Sequence, residues 1–153
     1  MIAEAVAAPV IRQATAEDAA DLLVLLRRLV DTSRYTQETV FNEVHVAGVV
    51  DALLANPDAG LFVAEDDGGL VGVIGLVQYD DMISGECLAA EVFWYVDPAY
   101  RNGVGVTLLS TAEQWAASRG VRRMQMMEAE QKFASFFARH GYEPRHRMWE
   151  RSL

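Results

Sequence analysis

The residues whose types and spacing favour chemistry lie in one stretch, from Ala90 to Leu109. An apolar segment ends there at Asp97-Pro98, and a turn containing Gly103 and Gly105 leads into a helical pattern. Glycines let backbone N–H groups approach a ligand closely, and a helix N-terminus carries unpaired donors with a partial positive charge. Because Arg101 adds a fixed positive charge, this turn suits a phosphate or diphosphate group.

Two common nucleotide-binding patterns do not fit this turn. The dinucleotide pattern G-x-G-x-x-G requires a third glycine where Leu108 stands. The triphosphate loop G-x-x-x-x-G-K-[ST] is absent. A Gly-Val-Gly turn after a strand is weak evidence by itself, so the rest of the chain has to narrow the class of ligand.

The elements around this stretch follow from hydrophobic spacing and turn residues. The predicted elements, in order, are a strand at Ile11–Gln13, a helix capped by Thr15 and ending near Asp31, a helix from about Gln37 to Asn56, strands at Leu61–Glu65 and Leu70–Tyr79, a strand at Cys87–Val96, a helix at Val104–Ser118, a strand at Val121–Glu128, a helix at Gln131–His140 and one or two closing strands within Tyr142–Arg151. Met124, Met126, Phe133, Phe136 and Phe137 are expected in the core.

Early hairpins followed by β-α-β connections predict an α/β fold with a central twisted mixed sheet and about four flanking helices. The length of 153 residues favours a single domain over residues 1–153, with 1–10 as an N-terminal extension.

The charge is distributed unevenly along the chain, around a net value of −9. Residues 35–100 contain twelve acidic residues and no Lys or Arg, whereas residues 101–153 contain nine basic and five acidic residues. This asymmetry indicates a small anionic cofactor on one side and a cationic substrate on the other. A plain solvated acidic surface is the alternative. Nucleic-acid binding is disfavoured, because it usually needs a broad basic face.

Several other classes are excluded by composition. The single Cys87 rules out an internal disulfide or a Cys-based metal cluster, and the three histidines lack zinc-motif spacing, so no metal is expected. No apolar run is long enough to span a bilayer. The N-terminal residues are apolar but lack the basic residues of a signal peptide. We therefore expect a soluble, cytoplasmic protein that does not act at a membrane.

Two segments together resemble a known family. Val96-Asp-Pro-Ala-Tyr-Arg-Asn-Gly-Val-Gly105, with Leu108-Leu109 and Ala112-Glu-Gln-Trp115, resembles the acetyl-CoA-binding motif of the GNAT N-acetyltransferase superfamily. Phe136-Phe-Ala-Arg-His-Gly-Tyr-Glu-Pro144 is similar to the family's C-terminal signature of helix, glycine-aromatic pair and strand. The element order also matches from residue 11 onward, so the resemblance covers nearly the whole chain. The pair of motifs is much more specific than either motif alone.

The resemblance implies acetyl-CoA as co-substrate. It places the CoA diphosphate on the backbone N–H groups from Asn102 to Val106 and pairs the pantetheine arm with the splayed end of the Glu91–Val96 strand. The Tyr95 N–H would then face the thioester carbonyl and stabilise the oxyanion. The implied cofactor-binding residues are Val96, Arg101, Asn102, Gly103, Val104, Gly105 and Val106.

Glu91 is the candidate general base. It is the lone acid in an apolar strand, and several family members keep a catalytic glutamate at this position. Burial among apolar neighbours is expected to raise its pKa toward that of a working base. The alternative is that Glu91 faces outward or only binds a cation. Asp80, Asp81 and Glu86 are candidates for holding a cationic acceptor, or are plain surface acids.

The chain departs from the family pattern at three places. The glycine turn is one residue short, so Tyr100 stands in the register of the family's Arg or Gln. The family's frequent tyrosine acid is replaced by Phe137, for which water, Tyr142 or His140 are candidate substitutes; His140 is alternatively a helix-end residue. An asparagine that often opens the last helix is missing, with Glu130 near its place.

The predicted function is acetyl-CoA-dependent N-acetyl transfer to a primary amine of a small cationic molecule or peptide. One alternative is a catalytically degenerate module that binds acyl-CoA as a sensor or partner, which Phe137 favours and Glu91 opposes. Another is an acetyltransferase directed at aminoacyl-tRNA or nucleic acid, which the long acidic stretch opposes. A homodimer formed by an edge strand near the C-terminus is also considered.

Overall fold

The computed structural model of the chain describes residues 7–33, 37 and 39–153. Within them, a five-stranded mixed sheet has the strand order β1-β2-β3-β4-β5 and carries helices on both faces. The strands are β1 Val10–Gln13, β2 Ala59–Asp66, β3 Gly69–Asp80, β4 Cys87–Val96 and β5 Arg123–Gln125. The helices are α1 Ala19–Thr32, α2 Glu43–Ala55, α3 Val104–Ser118 and α4 Ala134–Arg139.

The sheet is split between β4 and β5. Strands β1 to β4 pair antiparallel in sequence, and α3 then carries the chain back to β5, which pairs parallel with β4. That last pairing is short: it ends where Ala90 lies opposite Gln125. From Glu91 to Val96, the outer edge of β4 therefore has no strand partner among the described residues, and a cleft remains between the two strands.

Two apolar cores cover the two faces of the sheet. On one face, α1 and α2 pack on the sheet through Leu22, Leu25, Leu26, Val50 and Leu53. On the other face, α3 and α4 pack through Leu108, Leu109, Ala112, Trp115 and Phe136. Gly60 of β2 lets α3 come close, because a Cβ there would lie 2.8 Å from the Trp115 ring. No helix in the described part of the chain has the length and apolar character needed to cross a membrane.

Several predicted bounds are wrong. Helix α2 begins at Glu43 rather than near Gln37, because the side chain of Asn42 caps it by accepting from the His45 N–H at 3.0 Å. The closing strands predicted within Tyr142–Arg151 are absent, since residues 143–153 form no helix or strand. Phe133, expected in the core, is 41% exposed.

Candidate active site

A β-bulge at Val92 turns two side chains toward the cleft. Gly75 lies opposite Phe93 while Leu76 lies opposite Glu91, so Val92 has no partner on β3. Residues three apart point to opposite faces of a regular strand. Because of the extra residue, Glu91 and Trp94 instead share the face that α3 and α4 cover.

Glu91 is half-buried at the point where β4 loses its outer partner. The N–H of Met127, just after β5, donates to Glu91 Oε2 at 2.9 Å and fixes the carboxylate across the cleft. Burial raises the pKa of Glu91 to about 7, and the Met127 hydrogen bond opposes that rise. The expected upward pKa shift is confirmed. A carboxylate with this pKa is half-ionised at neutral pH, as a general base requires.

The expectation for the Tyr95 N–H is wrong, because that group faces β3. The Asp97 N–H donates to Val71 O on β3 at 2.8 Å. Alternate residues of a strand direct their N–H groups to the same side, so the Tyr95 N–H also points to β3, opposite Val73. The outward amides of this segment are those of Trp94 and Val96. The Tyr95 side chain is buried beneath α1, with its hydroxyl 3.5 Å from Thr32 Oγ1.

The turn before α3 exposes unpaired backbone donors. Gly103 precedes the helix with φ of 129°, a value that disfavours any residue with a Cβ. The first hydrogen bond into the helix is donated by the Thr107 N–H to Gly103 O at 3.1 Å. The N–H groups of residues 102–106 have no acceptor among the described residues. This arrangement of donors fits a diphosphate.

The two residues before this turn hold it in place. Tyr100, in the register of the family's Arg or Gln, donates its hydroxyl to Asp66 Oδ2 at 2.6 Å and anchors the turn to the β2–β3 hairpin. The exposed Arg101 donates from Nε to Val96 O at 2.9 Å, and its Cζ lies 5.7 Å from the centroid of the Tyr95 ring. Arg101 thereby covers part of the outer edge of β4, directly before the unpaired amides in the chain.

An aromatic cluster from α4 closes the cleft above β4. The Trp94 ring lies 5.7 Å from the Phe136 ring and 6.1 Å from the Phe137 ring, measured between centroids. Phe137, which replaces the family's frequent tyrosine, is buried and offers no proton. The Nε1 atom of Trp94 is buried and has no hydrogen-bond partner among the described residues.

The two candidate substitutes for the tyrosine acid are already engaged. Tyr142 donates its hydroxyl to Glu113 Oε1 at 2.8 Å, and burial together with this hydrogen bond raises the pKa of Tyr142, which makes it a poorer acid. His140 stacks on the Phe136 ring and places Nδ1 2.8 Å from Phe136 O. The structure therefore favours the helix-end interpretation of His140.

The three loop acids are not gathered around Glu91. At about 3.3 Å per residue, Asp80 lies opposite Cys87, about 13 Å along β4 from Glu91, and Asp81 and Glu86 lie about 16 Å away. Asp81 accepts from the Ile83 and Ser84 N–H groups within its own loop, which lowers its pKa. Glu86 pairs with Arg123 at 2.8 Å. Asp80 is exposed and has no such partner among the described residues.

Sequence reasoning missed Trp94, Met127 and Glu113. Alternation along a regular strand places Trp94 and Glu91 on opposite faces, so the sequence does not bring them together. Met127 acts through its backbone, which carries no sequence signal. The Glu113–Tyr142 pair joins residues far apart in the chain, and no local spacing predicts it.

A split strand edge and an amide-lined turn at the start of a helix define the class of an acyltransferase fold. The chain belongs to the Acetyltransferase (GNAT) family, whose model matches residues 26–142. The predicted family and fold class are confirmed, and the chain is an acetyltransferase. This family generally uses acetyl-CoA as co-substrate. No curated protein matches the chain.

Solved structures share the fold at low sequence identity. A Trypanosoma brucei acetyltransferase is 20% identical, with a TM-score of 0.75 over 95% of this chain and 99% of that chain. A ribosomal-protein-alanine N-acetyltransferase from Brucella melitensis biovar Abortus 2308 is 16% identical, with a TM-score of 0.72 over 96% and 100%. An aminoglycoside acetyltransferase from an uncultured soil metagenomic sample, in complex with sisomicin, is 19% identical, with a TM-score of 0.70 over 95% and 96%.

Proposed function

We propose that this chain transfers the acetyl group of acetyl-CoA to a primary amine of a small cationic molecule or peptide, by direct attack of the amine on the thioester. The observation that carries the proposal is the position of Glu91. Its half-buried carboxylate lies in the cleft where β4 and β5 separate, on the same strand that leads into the amide-lined turn.

Cofactor binding is proposed at the turn and along the outer edge of β4. The amides of residues 102–106 hold the diphosphate, with the Arg101 guanidinium beside it. The pantetheine arm follows the outer edge of β4, where the backbone groups of Trp94 and Val96 face outward. To pair with Val96 O, the arm has to displace the Arg101 Nε that now occupies it.

The proposed chemistry needs one base and one oxyanion donor. Glu91 removes a proton from the ammonium form of the acceptor, directly or through a water molecule. The amine nitrogen then forms a bond to the thioester carbon, and an outward amide of β4 stabilises the negative charge on oxygen. Collapse of this intermediate breaks the C–S bond and releases the CoA thiolate. The second proton of the nitrogen passes to solvent, which also protonates the thiolate because Phe137 cannot.

A cationic acceptor is supported by the charge of the chain. The chain has a net charge of −9, and residues 35–100 contain no Lys or Arg. The resulting negative electrostatic potential attracts a positively charged substrate. Two proteins with this fold are named for amine-bearing substrates, a ribosomal-protein alanine and an aminoglycoside. Of the loop acids, Asp80 has the carboxylate best available to such a substrate.

The cofactor assignment is tested by thermal unfolding with increasing CoA. A ligand that binds the native state raises the midpoint with concentration. Adenosine, which lacks the phosphates and the arm, is the control compound. A midpoint that stays constant up to millimolar CoA contradicts the proposal.

The catalytic assignment is tested with Glu91→Gln. Removing a general base is expected to lower kcat by about 10²–10⁴-fold, while the CoA-dependent rise in midpoint is unchanged. Thiol release on a panel of polyamines, aminoglycosides and peptide amines measures the rate. Glu65→Gln, a partly exposed carboxylate of β2 paired with Arg12, is the matched control and retains activity. A wild-type chain that binds CoA but acetylates no amine would instead be a binding module.

A further inference from the structure

One buried donor is left over when the polar groups of the cleft are accounted for. In the described part of the chain, Trp94 Nε1 is the buried side-chain polar atom without a hydrogen-bond partner. An indole N–H can only donate, so no rearrangement of its own proton satisfies it. Buried donors are almost always paired in folded proteins, and an exception requires a physical explanation.

The indole lies between the amide-lined turn and α4. A Cβ added to Gly105, in the first turn of α3, would lie 3.6 Å from Trp94 Cζ2 and 3.9 Å from Trp94 Nε1. The ring also contacts Phe136 and Phe137. No acceptor of the described residues lies within hydrogen-bond distance of Nε1. The side of the indole that carries the N–H thus faces the first turn of α3, where the unpaired amides begin.

We propose that the Trp94 Nε1–H donates a hydrogen bond to an oxygen of bound CoA, at the junction between the diphosphate and the pantetheine arm. The acceptor is a phosphate oxygen or an amide carbonyl of the arm. The inference rests on the proposed cofactor site. It adds a side-chain donor at a position where backbone amides otherwise provide the contacts.

Access to the donor requires a small movement. The Trp94 residue as a whole is partly exposed, although Nε1 is covered. The first turn of α3 lies against Nε1 at Gly105, which has no side chain, so a small displacement of this turn from Trp94 uncovers the N–H. Binding of CoA is therefore coupled to the packing of the first turn of α3 on β4.

Nuclear magnetic resonance of the indole protons tests the inference directly. The chain has three tryptophans, and the signal missing from Trp94→Phe assigns Trp94. Addition of CoA is expected to move that signal downfield, as a new hydrogen bond requires, while the Trp115 and Trp149 signals move little. Adenosine 3′,5′-bisphosphate and pantetheine are titrated separately: the fragment that reproduces the shift carries the acceptor.

A single-atom change separates the hydrogen bond from packing. Benzothienylalanine incorporated at position 94 keeps the bicyclic ring and replaces N–H by sulfur. CoA affinity is expected to fall about three- to tenfold, the range of one hydrogen bond. The same replacement at Trp115, at the far end of α3, is expected to leave the affinity unchanged.

The outcomes distinguish this inference from the proposed function. If CoA raises the unfolding midpoint but the Trp94 signal stays in place and the benzothienyl variant binds normally, the inference is wrong and the cofactor site stands. In that case the N–H is satisfied by the aromatic faces of α4. If CoA does not stabilise the chain, both proposals fail.

Discussion

As the proposed general base, Glu91 has to satisfy two opposed requirements. A general base must be ionised near neutral pH, whereas burial in an apolar cleft favours the neutral acid. The Met127 N–H donates to Oε2 and so opposes part of the rise in pKa that burial causes. The resulting pKa is about 7. A fully exposed glutamate would be a weaker base, and a fully buried one without this donor would remain protonated.

The pH dependence of the rate follows from this pKa. We expect kcat/KM to fall about tenfold per pH unit below pH 7, because only ionised Glu91 accepts a proton. The acceptor amine also titrates, so profiles are measured with amines of different pKa. A bend near pH 7 that is common to all of them belongs to Glu91. Profiles that lack a common bend near pH 7, and show only bends that follow the pKa of each amine, would contradict this assignment.

Stability has the opposite pH dependence at this residue. The folded-state pKa of about 7 lies above the ordinary glutamate value of 4.5, so the folded chain binds the proton more tightly. The Glu91 contribution to the free energy of unfolding therefore falls as pH rises from about 4.5 through 7. We expect Glu91→Gln to be more stable than wild type at pH 8, by about 1–3 kcal/mol, and similar to it at pH 4. Urea unfolding at the two pH values measures this difference, and equal stability at pH 8 would contradict it.

At the scale of elements, one ionic cluster joins β1 to the start of α1. Arg12 of β1 donates two hydrogen bonds of 2.8 Å to Asp18, and the Thr15 N–H donates to the same carboxylate at 2.7 Å. Helix α1 packs on one face of the sheet together with α2. Because the cluster fixes the start of α1 relative to β1, it also fixes the position of that core on the sheet. Thr15, the predicted cap, is the N-cap of the 3-10 turn Ala16–Asp18 that leads into α1, while Asp18 is the N-cap of α1 itself and accepts from the Thr15 N–H.

Asp18→Asn tests this junction. The Arg12 hydrogen bonds lower the pKa of Asp18 to about 2 from 3.8, so the stabilisation is present above pH 4 and is lost as pH falls through 2. We expect the variant to lose about 2 kcal/mol of unfolding free energy at pH 7 and less near pH 3. Glu65→Gln removes the second, more exposed partner of Arg12 and is expected to cost less than about 1 kcal/mol. A pH-independent deficit for Asp18→Asn would contradict the ionic account.

The sequence predicts the elements better than their junctions. The β2–β3 hairpin was predicted because Asp66-Asp-Gly-Gly69 carries turn chemistry in adjacent residues, and Asp67 and Gly68 do adopt left-handed φ values. The bulge at Val92 depends on pairing with Gly75, which is distant in sequence, so alternation along β4 could not predict it. The orientation of the Tyr95 amide was missed for the same reason: it depends on register rather than on residue type.

At the C-terminus, the sequence predicts strands that the described fold does not contain. Tyr142–Arg151 has enough apolar residues for a strand, yet Met148 and Trp149 are 79% and 85% exposed. Apolar character predicts burial only when a partner surface is present, and no described segment packs on these residues. The expectation of an edge strand there, and of dimerisation through it, therefore has no support from the described fold.

At the scale of the whole molecule, the charge is distributed unevenly along the chain. The acidic stretch from residue 35 to 100 forms α2 and β2 to β4, while α3, β5 and α4 follow in the basic part of the chain. The amide-lined turn lies at the boundary between these two parts of the chain. Arg101, the first basic residue after the acidic stretch, directly precedes it. The proposed anionic cofactor would lie beside Arg101, and the net negative charge of the chain would attract the proposed cationic acceptor.

This division predicts how salt affects the proposed acceptors. Surface fields act over a Debye length of about 10 Å at 0.1 M salt and about 3 Å at 1 M. Raising the salt concentration should therefore increase KM for a triamine such as spermidine several-fold, and KM for a monoamine less. The kcat values should stay constant, because Glu91 and the outward amides act inside the cleft.

Initial rates at saturating acetyl-CoA measure both constants. Equal salt dependence of KM for the two amines would mean that the acidic surface is only solvated and that short-range contacts select the acceptor.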